Sequence, residues 1–316
     1  MRPRAVITGT GLAVPGLRDG ADLLPGAPAP AGGEGFDPGR ELERRGWKYR
    51  DRASRLASCA AEPALRRARL LGGDGGYRGP GGRTAVVVSS NFGVLENVCR
   101  AMDVLVERGS SALSPMSLPH TGANMTAGWL AIDHGLSGPN LTVCNGATGG
   151  IDALYWARNL IAADRADIVL VVGVEPAERA VERLLGEDGP APLDGAAAVV
   201  VESADSAAAR HVTPLAAPSA FGRAPDLAAA VRTAARGPVG MVFAAEGATG
   251  PAALEGVPVL DLPARLGRCS GALGVLQCLA AVALFDRGEA RTLLATCGGA
   301  VRDDAAAALA LTPAEV

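Results

Sequence analysis

Two segments, residues 149–172 (GGIDALYWARNLIAADRADIVLVV) and residues 271–294 (GALGVLQCLAAVALFDRGEARTLL), decide the fold. A shift of 122 residues along the chain aligns Asp164-Arg165 with Asp286-Arg287. Each copy then has the order of a turn, a helix, an Asp-Arg ending and an apolar strand. Such internal similarity predicts two related halves. A chance match within an alanine-rich sequence is the alternative.

The helical part of each copy is apolar on almost every side. Thr148–Ala163 contains few polar residues, and Gly271–Phe285 contains Gln277 within an otherwise apolar run. A helix that is hydrophobic all round is buried all round. We therefore expect these two helices to form a central layer between two sheets.

Short runs rich in Val, Ile and Ala alternate with these helical patterns and predict strands. Continuous apolar strands that alternate with helices are typical of a parallel sheet covered on both faces. The predicted fold class is therefore α/β. The predicted strands are Ala5–Thr8, Thr84–Ser89, Leu141–Cys144, Ile168–Val174, Ala197–Val201, Val239–Ala244, Val257–Leu260 and Thr292–Thr296.

Composition excludes several classes of protein. The 316 residues include 30 Lys+Arg and 33 Asp+Glu, a balance that argues against nucleic-acid binding and against long disordered segments. The 6 cysteines form no C-x-x-C pair, which predicts reduced thiols in a cytoplasmic protein. Since no His or Cys pair has ligand spacing, we expect no metal. Thr8–Gly11 interrupts the first apolar stretch, so neither a signal peptide nor a membrane span is expected.

Ser114–Pro139 (SPMSLPHTGANMTAGWLAIDHGLSGP), followed by NLTVCNGATGG, resembles the β-ketoacyl synthase family of the thiolase superfamily. The resemblance extends from RAVITGTGLAVPG through ADIVLVVGVEP and DGAAAVVVES to LGRCSGALGVLQCLAAVALFDRG. It implies a thiolase-like fold with duplicated halves, residues 1–185 and 186–316. The two halves would form one compact unit with five layers, helix, sheet, helix, sheet, helix.

The same resemblance locates a catalytic triad that this chain lacks. The family carries its acyl chain on a Cys thiolate at a helix N-terminus and uses two His residues to stabilise developing charge. The matching positions here are Ala147, Glu246 and Arg268. A methyl group cannot attack a thioester, and Glu246 would repel a malonyl carboxylate. Three coordinated replacements favour a naturally degenerate site over one engineered change, with Glu246 and Arg268 as a hypothetical ion pair.

Degenerate ketosynthases of this kind resemble the chain length factors, or ketosynthase β subunits, of type II polyketide synthases. The resemblance implies a subunit that is inactive alone and pairs with a catalytic ketosynthase, in a heterodimer or a heterotetramer. An acyl carrier protein would be a partner through the complex. The basic clusters Arg44–Arg55 and Arg66–Arg69 fit either a carrier-protein contact or an ordinary solvated helix face.

In that family the segment matching Ser114–Asn124 crosses the subunit interface and closes the acyl tunnel. Ser117 stands where related synthases commonly carry an aromatic plug, which implies a longer tunnel and a long linear product such as a polyene. Filling of that volume by other side chains, or an ordinary interface core, is the alternative. The expected tunnel or interface residues are Met116, Ser117, Leu118, His120, Thr121, Asn124 and Trp129.

Two other readings remain. A displaced nucleophile, Cys144 or Thr148, would make the chain an independent acyltransferase or ketosynthase-like enzyme. We instead expect a structural Cys144 in a buried strand and Thr148 as a helix cap.

Thr8–Gly11 lacks the third glycine of a dinucleotide fingerprint, and Pro15 stands where its helix would begin. We therefore expect no cofactor.

Overall fold

The computed structural model describes residues 5–27, 29–30, 37–42, 46–186, 189–247, 254, 256–300 and 303–314. The strands are β1 Ala5–Ala13, β2 Thr84–Ser89, β3 Asn140–Val143, β4 Ile168–Glu175, β5 Gly195–Ser203, β6 Ala216–Ala224, β7 Val239–Phe243, β8 Val259–Leu260, β9 Thr292–Gly298 and β10 Ala306–Pro313. The α-helices are α1 Pro38–Glu41, α2 Arg52–Arg67, α3 Leu95–Arg108, α4 Met125–His134, α5 Gly149–Ala162, α6 Arg179–Leu185, α7 Ala204–Ala209, α8 Leu227–Ala234, α9 Pro263–Leu266 and α10 Leu273–Asp286.

The strand order repeats, which supports the predicted duplication. The order is β3-β2-β4-β5-β1 followed by β6-β10-β9-β7-β8, so both sets of five have the same arrangement when the second is read from its outer end. The two sets meet at β1 and β6 through the pair Ile7 and Ala216. The predicted boundary at residues 185 and 186 stays a prediction. Because β5 lies among the first five strands, we propose a dividing point between β5 and β6.

The sheet is mixed, whereas a parallel sheet was expected. β2 pairs in parallel with β3 and β4, but β4 with β5 and β5 with β1 are antiparallel. The second set repeats this pattern. Antiparallel strands that are buried on both faces lack a polar face, so their sequences look like those of parallel strands.

Three hydrophobic cores separate five layers, as predicted. Helices α2 and α4 cover the outer face of the first five strands, and α8 covers the outer face of the second five. Helices α5 and α10 lie between the inner face of the first five strands and the inner face of the second five. Successive side chains of β2 point to opposite faces of the sheet and so enter different cores. Val87 belongs to the central core, whereas its neighbours Val86 and Val88 belong to the outer core beneath α2 and α4.

Glycines set the crossing of the two central helices and correct the predicted repeat. A Cβ on Gly150 would lie 2.8 Å from the backbone N of Gly274, and a Cβ on Gly274 would lie 2.8 Å from the carbonyl carbon of Gly150. These two glycines are 124 residues apart, as are the starts of α5 and α10 and of β4 and β9. The structural repeat is therefore 124 residues, and the 122-residue alignment was wrong by two.

Close packing also explains the glycines of β1. A Cβ on Gly9 would lie 2.1 Å from the carbonyl O of Ala64, and one on Gly11 would lie 2.1 Å from that of Ala60. Both glycines therefore let α2 approach the sheet. Strand β1 continues through the Thr8–Gly11 stretch to Ala13, so these residues do not form a phosphate-binding turn.

Candidate functional site

The three positions matched to the missing triad line one cavity. A 3-10 turn, Gly146–Thr148, leads into α5 and places Ala147 at the cavity wall. Glu246 follows β7, and Arg268 precedes the 3-10 turn Ser270–Ala272 that leads into α10. The cavity has a volume of about 630 Å³ and is also lined by Asp261, Ser270 and Asp303. Convergence of these positions is what the resemblance implies for a vacated site.

Glu246 is held by the backbone that leads into α10. Its Oε2 accepts hydrogen bonds from the backbone N–H groups of Cys269 and Ser270, both at 2.8 Å. Burial raises the pKa of the Glu246 carboxyl, and those two N–H groups and the charge of Arg268 act in the opposite direction. The contacts described in the structure do not include the hypothetical Glu246–Arg268 ion pair, because the carboxylate is directed at backbone donors. Residues 248–251 of the following loop lie outside the described residues.

A second buried carboxylate ties the site together, and sequence reasoning missed it. Glu175, 1% exposed, accepts hydrogen bonds from the backbone N–H groups of Asn91 at 2.9 Å, Phe92 at 3.0 Å and Gly271 at 3.0 Å. Burial raises the pKa of Glu175 to about 7. A lone acid at the end of an apolar strand was the available signal in the sequence.

Asn91 connects the two loops that carry the matched positions. Its Nδ2 donates to the carbonyl O of Gly146 at 2.9 Å and to Ser270 Oγ at 2.7 Å, and its Oδ1 accepts from Gly146 N–H at 3.1 Å. Gly146 and Ser270, equivalent in the 124-residue repeat, both have positive φ, 65° and 45°. The side chain of Asn91 therefore fixes the loop of Ala147 against the loop of Arg268.

Neither candidate for a displaced nucleophile is activated. Cys144 follows β3 and is exposed, in contrast to the buried position that was expected. Partial desolvation of its thiol by neighbouring protein atoms and the charge of Glu175 raise its pKa, which disfavours the reactive thiolate. Thr148 is 2% exposed and its hydroxyl donates to Asp152 Oδ2 at 2.8 Å. It occupies the cap position of α5, but its side chain makes no capping hydrogen bond.

None of the described contacts joins Cys144 or Thr148 to a histidine. The ring of His120 stacks on Trp129, and His134 lies next to Tyr77 with ring centroids 6.4 Å apart. General-base assistance by an imidazole therefore finds no support in the described part of the chain.

The residues expected at a tunnel or interface lie mostly on the surface. Met116, Ser117, Leu118 and Asn124 are exposed, whereas His120, Thr121 and Trp129 are partly buried. Met116 is 71% exposed. Trp129 stacks against His120, which places its ring beneath the Ser114–Thr121 segment.

The basic clusters are largely neutralised within the chain. Arg50 pairs with Asp133, Arg52 with Asp194, Arg66 with Glu62 and Arg67 with Asp286. The structure therefore favours the reading in which these arginines stabilise the fold, although exposed members retain some positive potential. Arg44 and Arg45 lie outside the described residues.

Among the described residues, no group of three or more acidic, His or Cys side chains is placed to hold a metal ion. No helix there combines the length and hydrophobicity required to cross a bilayer.

Comparison with known proteins shows similarity to β-ketoacyl synthases. Residues 34–184 match the family model for the N-terminal domain of β-ketoacyl synthases. The 3-oxoacyl-(acyl-carrier-protein) synthase 2 of Vibrio cholerae is 36% identical over 95 residues, which are 30% of this chain and 23% of that protein. The enzyme of the same name from Coxiella burnetii is 29% identical over 167 residues, 46% of this chain and 40% of that protein. The matches thus span less than half of these relatives.

Solved structures extend the similarity over the whole chain. The ishigamide ketosynthase/chain length factor has a TM-score of 0.80 and 27% identity, covering 99% of this chain and 100% of that one. A type II polyketide synthase acyl-carrier protein in complex with its ketosynthase has a TM-score of 0.81 and 19% identity over 99% and 100% of the two chains, which shows the fold. Residues 34–184 therefore match the N-terminal domain of β-ketoacyl synthases, and the chain as a whole has the thiolase-like fold of ketosynthases.

Proposed function

We propose that this chain is a non-catalytic chain length factor that pairs with a catalytic ketosynthase of a type II polyketide synthase in the cytoplasm. One observation carries the proposal: Ala147, Glu246 and Arg268 line a single cavity that holds neither a nucleophile nor an imidazole at the matched positions. Under the resemblance, this cavity corresponds to the active site of a ketosynthase, with the three catalytic side chains replaced. Similarity at 27% identity to a ketosynthase/chain length factor structure supports the same function.

An apolar surface supports pairing with another subunit. Large hydrophobic side chains are exposed on α3, on and just before the turn Leu118–Thr121, on α4 and on α5. These elements are neighbours, because the turn contacts both α3 and α4, and β3 contacts both α4 and α5. Contiguous exposed apolar surface marks an interaction site. Strand β3 lies at one end of the strand order, so its outer edge is open to a partner. The exposed residues are Val98, Met102, Leu105, Val106, Met116, Leu118, Ile132 and Trp156.

Exposure of Trp156 corrects the expectation that α5 is buried on every side. Helix α10 is buried from Leu273 to Ala283, but α5 is open along one side at Trp156, which is 47% exposed. A large aromatic residue on an open helix side is typical of an obligate interface, for which we expect a buried area of about 2,000 Å² or more.

Chain length would be set by the exposed segment Ser114–Asn124. Ser117 is small and exposed, which supports a tunnel with a distant end and a long, polyene-type product. The carrier protein would reach the tunnel through the catalytic subunit, since the clustered arginines of this chain are mostly paired internally.

Acyl loading of the complex tests the proposal. The chain would be co-expressed with each ketosynthase of its source organism, purified through a tag on one subunit, and treated with an acyl thioester. Intact-protein mass spectrometry should show the acyl mass on the partner and not on this chain. An acyl adduct on Cys144 or Thr148 would instead establish a displaced nucleophile.

Paired surface variants test the interface. Ile132, 68% exposed on α4, and Val259, 51% exposed on β8, lie near opposite ends of the sheet. Ile132→Asp should weaken the complex by about 10-fold or more, because a charge would be desolvated in the interface. Val259→Asp should leave the affinity unchanged. Equal effects of the two variants would contradict the proposed surface.

A further inference from the structure

The segment Ser114–Thr121 is a series of tight turns with little support of its own. Ser117 N–H donates to the carbonyl O of Ser114 at 3.0 Å, and His120 N–H donates to that of Ser117 at 3.1 Å. Met116, Ser117 and Leu118 are exposed. Its 3-10 turn contacts α3 and α4. Its position therefore depends on how His120 is attached to those helices.

His120 is attached in two ways. Its carbonyl O accepts a hydrogen bond from Asn97 Nδ2 of α3 at 3.1 Å. Its ring stacks on the ring of Trp129 of α4, with centroids 6.0 Å apart and an interplanar angle of 13°. Within the described part of the chain, His120 Nδ1 and Trp129 Nε1 are buried and make no hydrogen bond. The contact between the ring faces is thus what joins the two side chains.

The ring of Trp129 also contacts a cation. The guanidinium carbon of Arg50 lies 4.4 Å from the centroid of the Trp129 ring and 5.5 Å from that of Trp47. The Arg50 side chain is 1% exposed and donates from both terminal nitrogens to the two oxygens of Asp133, each at 2.6 Å. Pairwise contacts therefore join His120 to Trp129, Trp129 to Arg50 and Arg50 to Trp47, and this series of contacts, called the stack below, connects the exposed turn to the buried Trp47.

Asp133 follows Trp129 by four residues on α4, so both lie on the same face of that helix. Arg50 thereby fixes the ring of Trp129 through its planar face and fixes the helix through Asp133. We infer that Trp129 and Arg50 are positioning residues that determine where the Ser114–Thr121 segment lies, and through it the length of the product. This inference rests on the proposed function for its effect on chain length.

Four variants separate positioning from general stability. Trp129→Leu removes the aromatic face, and Trp129→Phe restores a smaller one. Arg50→Lys keeps the charge but loses the planar stacking and the two parallel hydrogen bonds. Arg83→Lys is the control, because Arg83 also donates from two nitrogens to the two oxygens of one carboxylate, that of Asp167, away from the stack, although its side chain is more exposed than that of Arg50.

Hydrogen exchange of the full chain gives the first readout. Trp129→Leu and Arg50→Lys should speed amide exchange in residues 114–121 by about 10-fold, the size expected for loss of a buried aromatic or cation–π contact. Trp129→Phe should lie close to the wild type, and Arg83→Lys should leave these amides unchanged. Unchanged exchange in Trp129→Leu and Arg50→Lys overturns the inference, whether or not a complex forms. If Trp129→Leu does not fold, Arg50→Lys and Trp129→Phe decide the result.

Product analysis of the reconstituted ketosynthase complex with malonyl-carrier protein gives the second readout. Trp129→Leu and Arg50→Lys should shift or broaden the products by at least one two-carbon unit, while the yield of complex stays at the wild-type level. An intact complex with unchanged products overturns the link to chain length. Failure of the wild-type chain to form any complex would count against the proposed function, and the exchange result would still decide whether the stack positions the segment.

Discussion

Replacement of Glu175 by Gln should change how the stability of the protein depends on pH. The Glu175 carboxylate is buried at the end of β4 and accepts backbone hydrogen bonds from residues 91 and 92 and from residue 271. Burial raises its pKa to about 7 from an ordinary value of 4.5, despite those donors. The folded protein therefore retains a proton on Glu175 to higher pH than the unfolded chain does.

The sign and size of the effect follow from proton linkage. Because the folded state binds more protons between pH 4.5 and 7, the free energy of unfolding falls as pH rises through that window. The interval from 4.5 to about 7, at 1.36 kcal/mol per pH unit, corresponds to about 3 kcal/mol. Gln carries no charge at any of these pH values, so Glu175→Gln removes this contribution.

Urea unfolding between pH 5 and 8 measures the difference. As pH rises over this range, the free energy of unfolding should fall by about 2 to 3 kcal/mol more in the wild type than in Glu175→Gln. Glu178, whose pKa burial and neighbouring acids also raise to about 7, provides a second variant, since Glu178→Gln should retain the Glu175 contribution. The amide nitrogen of Gln donates at a position where the carboxylate accepted, so the variant differs from the wild type in stability at every pH. The test is therefore how the free energy of unfolding changes with pH, not its absolute value. Equal slopes for wild type and Glu175→Gln would refute the reasoning.

Three further variants test the fold and the site. Gly274→Ala should lower the free energy of unfolding by about 1–3 kcal/mol, because its Cβ would lie 2.5 Å from a backbone N of α5; Gly128→Ala, in open space on α4, should not destabilise. Glu246→Ala should lower the free energy of unfolding, measured with urea, by about 1–2 kcal/mol, because two partly buried N–H groups lose their acceptor. The loss should exceed that for Asp261→Ala, which frees one exposed N–H. Ala147→Cys alone should remain unacylated by mass spectrometry, because the matched positions provide no imidazole to activate its thiol.

Hydrophobic pattern predicted most of the sheet but missed two of its strands. The predicted Thr84–Ser89 agrees with β2, and the predicted start at Ile168 agrees with β4. Strands β6 and β10 were missed because alanine has low strand propensity and Pro218 interrupts the apolar run of β6. The register with β10 shifts beside Pro218, which accommodates the missing N–H. The small side chains of β6 and β10 are consistent with strands that other layers cover on both faces.

Family resemblance located Ala147, Glu246 and Arg268, and the structure brings them to one cavity. It did not indicate the contacts that hold the site. The bonds from Asn91 to Glu175, and from Arg50 to Asp133, join residues 84 and 83 positions apart without a sequence motif. Such contacts depend on the packing of distant elements, which neither periodicity nor a local motif encodes.

The proposed non-catalytic function and the retained fold would have a common explanation in the segment that leads into α10. The N–H groups of Cys269, Ser270 and Gly271 lie in the turn before α10 and need acceptors. Glu246 accepts from the first two, and Glu175 accepts from the third. In the proposed function, carboxylates at these positions repel an anionic substrate but provide acceptors for the turn. We therefore expect the contribution of this chain to a synthase to come from its surface on α3, α4 and β3, which the satisfied core holds in place.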